Sequence, residues 1–594
     1  MRMKRNKLFK RFLIWRLKHL SHTNFLNILS VFIGISIGIV AAIIKKLVHL
    51  IQHILMLEIP ANNQKYFYVV LPAIGILLAV LFIKFILRQD VRHGIPSVLY
   101  SLSKNKGFIR PHNMYSSIVT SSLTVGFGGS VGLEGPTVAT GAAIGSTIGK
   151  TLHLNYNQVK LLLGAACVSA MSAIFKAPIA AIVFALEVIM LDLTMASLIP
   201  LLLASASAAL TSYLIMGTNV LYPVEVHSGF EMSMVVYYVL LGVISGLMSA
   251  YFTKMYILIE EKFDRIKSKY HRIIIGGSLL GLLIFLFPAL YGEGYEVINS
   301  ALAGDVHFLF EKSLFSNFSY NYTNIALLLL GVIFLKVIAT AFTFGAGGVG
   351  GIFAPTLFMG VNVGLLFAIT LNHFELAHIS STENFALLGM SSMISAVLHA
   401  PLTGIFLIGD ISGGYALIFP LMISSTISYA TVRIFSKHSV YTHQLAERNE
   451  LLTHHKDKAV LALMRMKPLI ETNFTIVSPD GKLRDLVEKI AICRRNVFPI
   501  VDAENNFVGV VTLDDVRELM FRPEMYDKVD ISELMFTPDI LVDVKDSMEE
   551  VANKFRITGY YNLPVVDKGK YVGFVSRANI FSAYRRMIKR FSED

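Results

Sequence analysis

The sequence predicts an all-α polytopic membrane domain, built from two copies of a broken-helix unit, followed by a soluble α/β domain that is itself duplicated. Three observations predict it. First, 54% of the 594 residues are hydrophobic and only 16% charged, a balance suited to a chain that crosses a bilayer repeatedly. Second, the apolar runs are cut by Gly- and Pro-rich breaks that recur at near-constant spacing, the pattern of discontinuous helices that meet at a substrate site. Third, the composition changes near residue 455; beyond 466 charges are dense and no apolar run of 18 residues occurs.

Residues 1–22 carry Arg2, Lys4, Arg5, Lys7, Lys10, Arg11, Arg16 and Lys18, with no acid through position 20. Phe12, Leu13, Trp15, Leu17 and Leu20 interleave with them, as in an interfacial amphipathic helix on a cytoplasmic membrane face. Hydrophobic spans follow at once, so the basic run reads as a membrane anchor and no nucleic-acid partner is expected. No cleavable signal peptide is evident, because the basic region is long and the first apolar run continues into a full span. The net charge of +12 fits that bias.

The membrane domain is predicted over 23–453. Apolar helices are expected at 26–57 (interrupted by Lys45 and Lys46), 66–87, 115–127, 134–150, 157–175, 178–192, 196–215, 232–260, 272–289, 325–343, 383–412 and 414–435. A short helix follows the break Arg92-His93-Gly94-Ile95-Pro96. The more polar stretch 292–322 reads as an extramembrane loop with short helices. Tyr441 lies just beyond the last long apolar run. Cys167 and Cys493 sit in unlike regions and have no metal-ligand companions, which argues against a disulfide framework or a metal site. No nucleophile-and-base set of an enzyme stands out.

One carboxylate stands in otherwise apolar or tiny surroundings: Gly132-Leu133-Glu134-Gly135-Pro136. Glycines leave backbone amides unobstructed, and Pro136 suits the first turn of a helix. Glu134 is therefore expected at a helix N-terminus, where free N–H groups and the helix dipole favour an anion. At membrane depth this is an anion site plugged by the protein's own acid, and an intramembrane acid is usually functional.

The duplication is legible. Ala177-Pro178-Ile179-Ala180-Ala181-Ile182 parallels Ala400-Pro401-Leu402-Thr403-Gly404-Ile405, and Glu187 falls on Asp410 at the same offset along the chain. Glu187 and Asp410 are read chiefly as structural helix-end residues. Gly351-Ile352-Phe353-Ala354-Pro355 follows the glutamate stretch at nearly that offset. Inverted topology is the usual arrangement of such repeats. Lys176 and His399 precede the two Ala-Pro breaks and read as snorkelling side chains. The soluble part repeats too: Phe498-Pro499-Ile500-Val501-Asp502 with Val508-Gly509-Val510-Val511-Thr512, then Leu563-Pro564-Val565-Val566-Asp567 with Val572-Gly573-Phe574-Val575-Ser576. Each copy is strand, turn, strand and helix, with Thr512 or Ser576 near the helix cap.

At these residues the chain resembles the CLC family of chloride channels and chloride/proton exchangers carrying a C-terminal CBS pair, with a linker at 454–465 and CBS domains at 466–527 and 528–594. Gly94-Ile95-Pro96, Gly132-Leu133-Glu134-Gly135-Pro136 and Gly351-Ile352-Phe353-Ala354-Pro355 resemble its anion-site motifs in order. The resemblance implies a homodimer with one pore per subunit, multi-pass in a cell (inner) membrane, with the N-terminus and CBS pair in the cytosol. Glu134 is implied as the gate. His93, Gly94, Gly135, Ile352, Phe353 and Tyr441 are implied around chloride, the amides of Ile352 and Phe353 and the Tyr441 hydroxyl holding the central ion. No cofactor is required; an adenine nucleotide (ATP, ADP or AMP) is implied at Thr512, Asp515, Ser576 and Asn579. Two departures matter. His93 stands where the family often has Ser, or Pro in nitrate-selective members. Val188 stands where proton-coupled members commonly have an inner glutamate, which favours passive, voltage-gated-type chloride conduction over chloride/proton antiport. A CBS-bearing cation transporter is the more distant alternative; it would need several acids converging at membrane depth.

Overall fold

The computed structural model describes residues 11, 15–16, 18–57, 64–88, 94–105, 107–189, 195–217, 230–310, 313–379, 381–447, 461, 464–493 and 495–592. Two compact units result, Met1–Leu451 and Leu452–Asp594. Among the described residues of the first unit, nine helices are long and apolar enough to cross a bilayer.

In chain order the first half contains α1 (His22–Leu57), α2 (Gln64–Leu81), α3 (Gly94–Lys104), α4 (Asn113–Gly126), α5 (Glu134–Thr151), α6 (Tyr156–Phe175), α7 (Pro178–Glu187) and α8 (Met195–Met216). The second half contains α9 (Val235–Asp264), α10 (Lys269–Leu286), α11 (Tyr295–Leu302), α12 (Tyr322–Gly345), α13 (Phe353–His373), α14 (Thr382–Val397), α15 (Pro401–Ile411), α16 (Ile418–Phe435) and α17 (Val440–Glu447). Helix α1 runs unbroken through Lys45 and Lys46. Helix α7 ends at Glu187, short of the expected 192. The run expected as one helix over 383–412 is two, because Pro401 takes the first position of α15 and His399 before it adopts a left-handed φ of 56°. Lys176, its counterpart before Pro178, does the same with φ 55°, and its ammonium donates to the Gly217 carbonyl at 2.7 Å. At the N-terminus the Arg16 guanidinium lies 4.0 Å over the Phe25 ring.

The stretch 292–322 contains the short helices expected of it, including the single turn His307–Leu309. Helix α11 buries Val297, Ile298, Ala301 and Leu302 in the main core. Polar residues at its start gave it the look of a loop, yet Tyr295 among them bonds another buried polar group.

The two halves are related by a local two-fold axis, and the hydrogen bonds show it by reciprocity. Gly132 N donates to Gly351 O (2.8 Å) and Gly351 N donates to Gly132 O (2.7 Å), an antiparallel bridge between the two glycine loops. Ser130 N donates to the Thr343 hydroxyl (3.2 Å), and Val349 N donates to the Thr124 hydroxyl (3.1 Å). Gly128 and Gly347 take the same left-handed turn, φ 96° and 101°, which only glycine adopts without strain. At the other pair of breaks, Glu187 accepts from the amides of Leu402 and Thr403, while Asp410 accepts from those of Ile179 and Ala180. Each short helix thus caps the N-terminus of its twin, satisfying donors that hydrocarbon could not.

In the second unit, β2 (Val497–Val501) and β3 (Phe507–Thr512) form one antiparallel hairpin, and β5 (Asn562–Asp567) and β6 (Lys570–Ser576) form the other. The first strand, β1 (Ile470–Glu471), precedes the first hairpin yet pairs with β6, and β4 (Val542–Asp543) lies parallel to β5. The mixed four-stranded sheet is therefore completed by chain from before the first repeat. Helices α18 (Leu483–Ile492), α19 (Leu513–Val516), α20 (Ile531–Leu534), α21 (Met548–Thr558) and α22 (Arg577–Ser592) complete the α/β layers.

Candidate anion site

The site is built where three glycine loops converge. A methyl group on Gly135 would stand 3.1 Å from Gly350 O, 3.2 Å from Gly351 Cα and 3.6 Å from Gly94 Cα. Around this point opens a cavity of about 530 Å³, lined by Gly94, Ile95, Gly135, Gly351, Ile352 and Tyr441. Helices α3, α5 and α13 all begin here, so their free N–H ends and dipoles converge without a full positive charge. An anion can thus be held weakly enough to leave again.

Glu134 opens α5 and is fully buried. Its Oε1 accepts from the Tyr295 hydroxyl at 2.9 Å. The amides of Glu134 itself and of Ala354 lie beside the carboxylate, while Oε2 makes no hydrogen bond. A Cβ on Gly132 would meet Oε2 at 2.0 Å, and one on Gly351 at 3.3 Å. The carboxylate occupies a seat that exists because both bridge residues are glycine.

The other residues expected around the ion divide. Gly94 starts α3 with φ +73°. Ile352 is the N-cap of α13 and faces the cavity. Phe353 does not line the cavity: its ring is buried against Phe175 (5.0 Å) and Phe184 (6.4 Å). Tyr441 lies in the first turn of α17, is buried, and its hydroxyl has no hydrogen-bond partner. An orphaned hydroxyl at a cavity of helix starts suits an anion. His93 lies outside the described residues.

Sequence reasoning missed four neighbours. Tyr295 and Glu293 come from Tyr291-Gly292-Glu293-Gly294-Tyr295, where an acid between two glycines was the available signal. Lys336, fully buried, donates to the Ser130 hydroxyl (2.8 Å) and the Gly292 carbonyl (3.2 Å). It is a cation inside an apolar run, a functional signal by default. Lys45 donates to the Ile174 carbonyl (2.9 Å) and lies within electrostatic reach of Glu134 and Glu293. Val188 is buried in the apolar core.

In the second unit, Thr512 caps α19, its hydroxyl and amide both reaching Asp515 Oδ2 at 2.7 Å. Ser576 and Asn579 do not stand open: both donate to Glu471 Oε1, at 2.7 and 3.1 Å, and Arg495 pairs with its Oε2 at 2.8 Å. No His, Cys, Asp or Glu group suited to a metal occurs among the described residues.

Comparison with known proteins agrees with this architecture. The family model described as voltage gated chloride channel matches residues 74–433, and the CBS domain model matches 466–522 and 531–586. The chain is 28% identical over 387 residues to a putative ClcB-like chloride channel protein of Ralstonia nicotianae, covering 64% of this chain and 85% of that one. It is 26% identical over 364 residues to the voltage-gated ClC-type chloride channel ClcB of Citrobacter koseri, covering 61% and 82%. Among solved structures, a slow cyanobacterial Cl⁻/H⁺ antiporter superposes with TM-score 0.61 at 21% identity over 72% of this chain and 98% of that one. A eukaryotic CLC transporter does so with TM-score 0.60 at 18% identity over 94% and 97%. With a membrane domain of duplicated broken helices, an acid seated where their tips meet, and a matching family model over most of that domain, the chain belongs to the CLC family of voltage-gated chloride channels and transporters, with a C-terminal pair of CBS domains.

Proposed function

We propose that this protein conducts chloride passively, with Glu134 as the gate. The observation that carries the reading is the Glu134 carboxylate seated between Gly132 and Gly351, beside a cavity that ends on the unpartnered Tyr441 hydroxyl. A carboxylate in that seat competes with chloride for the same helix starts; protonated or swung away, it leaves the path free. The amides of Ile352 and Phe353, with Gly94, Gly135 and Tyr441, form the ion's surroundings in this reading. Passive conduction is favoured because Glu187 is committed to capping α15 and Val188 cannot carry a proton. Transport, not catalysis, is the role.

Chloride/proton antiport is the second reading. One observation favours it: Glu260 lines the same cavity as Tyr441 and could serve as the inner acid. Simultaneous chloride and proton flux from purified protein in liposomes separates the two. Chloride flux without coupled proton movement is expected; protons driven uphill by a chloride gradient, and lost in Glu260→Gln, would establish the exchanger instead.

The assembly is read as a homodimer in the cell (inner) membrane, with the N-terminus and CBS pair cytoplasmic. Helices α7 and α15 are too short to span a bilayer, and their carboxylate caps at Ile179 and Leu402 are exposed on this chain. Ile179 and Leu402 are exposed beside these caps, and a second copy is the proposed cover for this face. Adenine nucleotide is proposed as a modulator. Thr512 and Asp515 are the contacts at one site, whereas Ser576 and Asn579 become available only if Glu471 withdraws. Calorimetric titration with ADP should show binding that strengthens in Glu471→Ala; absence of heat in both proteins would remove nucleotide from the account.

A further inference from the structure

The second half of the membrane unit reaches the Glu134 carboxylate through one side chain. The Tyr295 hydroxyl donates to Glu134 Oε1 at 2.9 Å across 161 residues of sequence, while Oε2 makes no hydrogen bond. The tyrosine itself is firmly placed. It opens α11, whose Val297, Ile298, Ala301 and Leu302 are buried. Gly294, the N-cap, takes a left-handed φ of 85°, and a Cβ there would stand 2.5 Å from the Phe358 ring. Helix α11 therefore starts tight against α13. Ile298 N donates to Gly294 O at 3.0 Å, which closes the first turn. Just upstream, Gly292 N donates to Gly128 O at 3.1 Å, and the Lys336 ammonium donates to Gly292 O at 3.2 Å. The segment that carries Tyr295 is thus pinned to the glycine loop that leads into Glu134, so donor and acceptor share one scaffold.

We propose that Tyr295 is a positioning residue that latches the Glu134 side chain into its seat, and that the gate must break this hydrogen bond to open. The inference rests on Glu134 being the gate. Gly132 and Gly351 give the carboxylate room, but room alone does not select one orientation of a flexible side chain; a fixed donor does. A phenol that donates to a carboxylate makes a charge-assisted bond, roughly twice as strong as a neutral one. With Oε2 unpartnered, the bond at Oε1 is the one the acid gives up when it swings away. The strength of the latch then sets how often the seat is filled, without altering the groups that would surround the ion.

The test is chloride efflux from liposomes at neutral pH. Tyr295→Phe keeps the ring and removes the donor; flux should rise roughly tenfold, with thermal unfolding in detergent close to native. In the Glu134→Ala background the same substitution should add nothing, because no carboxylate is left to hold. A role in packing alone would change both backgrounds alike. A ring-fluorinated tyrosine in place of Tyr295, a stronger donor of nearly the same shape, should lower flux instead, and it decides the question should Tyr295→Phe fail to fold. Native or reduced flux in Tyr295→Phe, an equal rise with and without Glu134, or native or raised flux with the fluorinated ring would overturn the proposal. Glu134→Ala separates this failure from failure of the gate. If that variant gates as the native protein does, the gate assignment falls and the latch with it; if it stands open while Tyr295→Phe behaves as native, only the latch falls.

Discussion

Glu134 and Phe353 occupy the same position in the two halves of the membrane unit, each the first residue of a helix that leaves the Gly132–Gly351 bridge. The backbones around them are equivalent. The side chains are opposites: one carboxylate turned into the seat beside the bridge, one aromatic ring packed into the core against Phe175 and Phe184. A symmetric scaffold thus supplies helix starts from both halves, and one residue of asymmetry puts a carboxylate at one of them and a core ring at the other; in the proposed reading the first is the gate.

The comparison is broken most directly by removing each side chain in turn. Phe353→Ala should destabilise the protein by about 3–5 kcal/mol, read in detergent by thermal unfolding, while leaving the pH dependence of flux in place. Glu134→Ala should do the reverse, leaving stability close to native and the pore open and insensitive to pH. If Glu134→Ala keeps native pH and voltage dependence, the asymmetry has no gating meaning.

The bridge glycines sharpen it further. Alanine at either adds one methyl, but the neighbours differ. At Gly132 the methyl meets the carboxylate end of the Glu134 side chain at 2.0 Å and Ala354 Cβ at 2.9 Å; at Gly351 it meets Gly135 N at 2.8 Å, which is backbone and cannot give way. Gly351→Ala should therefore cost about 1–3 kcal/mol of stability, whereas Gly132→Ala should chiefly raise chloride flux at neutral pH by expelling the acid from its seat. Equal stability losses with no change in flux would mean that the seat does not hold the gate.

The smallest effect is expected where the halves match. Glu187→Ala and Asp410→Ala each remove a reciprocal cap and should each cost about 1 kcal/mol, with ion selectivity unchanged. A selective loss of proton flux in the Glu187 variant alone would return that residue to transport.

Much of this architecture could be read before any coordinates. The apolar runs, the Ala-Pro breaks and the regular recurrence of the broken-helix motifs are local or periodic features, set by what hydrocarbon demands of a backbone and by where proline and glycine interrupt it. The place of Glu134 at a helix start was legible because the flanking glycines and Pro136 mark a helix N-terminus. Tyr295, Glu293 and Lys336 were not assembled, because nothing local in a polar stretch or an apolar helix reveals a partner 161 or 206 residues away. Glu471 escaped for the same reason, since β1 crosses to pair with β6.

The sequence by itself therefore determined the membrane class, the duplication and the acid at the start of α5, since composition and spacing act through solvation and backbone geometry alone. Only the tertiary structure decided that the two glycine loops bond to each other, that Glu187 and Asp410 cap each other's helices, and that Tyr295 donates to the buried Glu134 carboxylate. Those are long-range pairings, and their chemistry depends on which buried donors and charges the fold brings within reach.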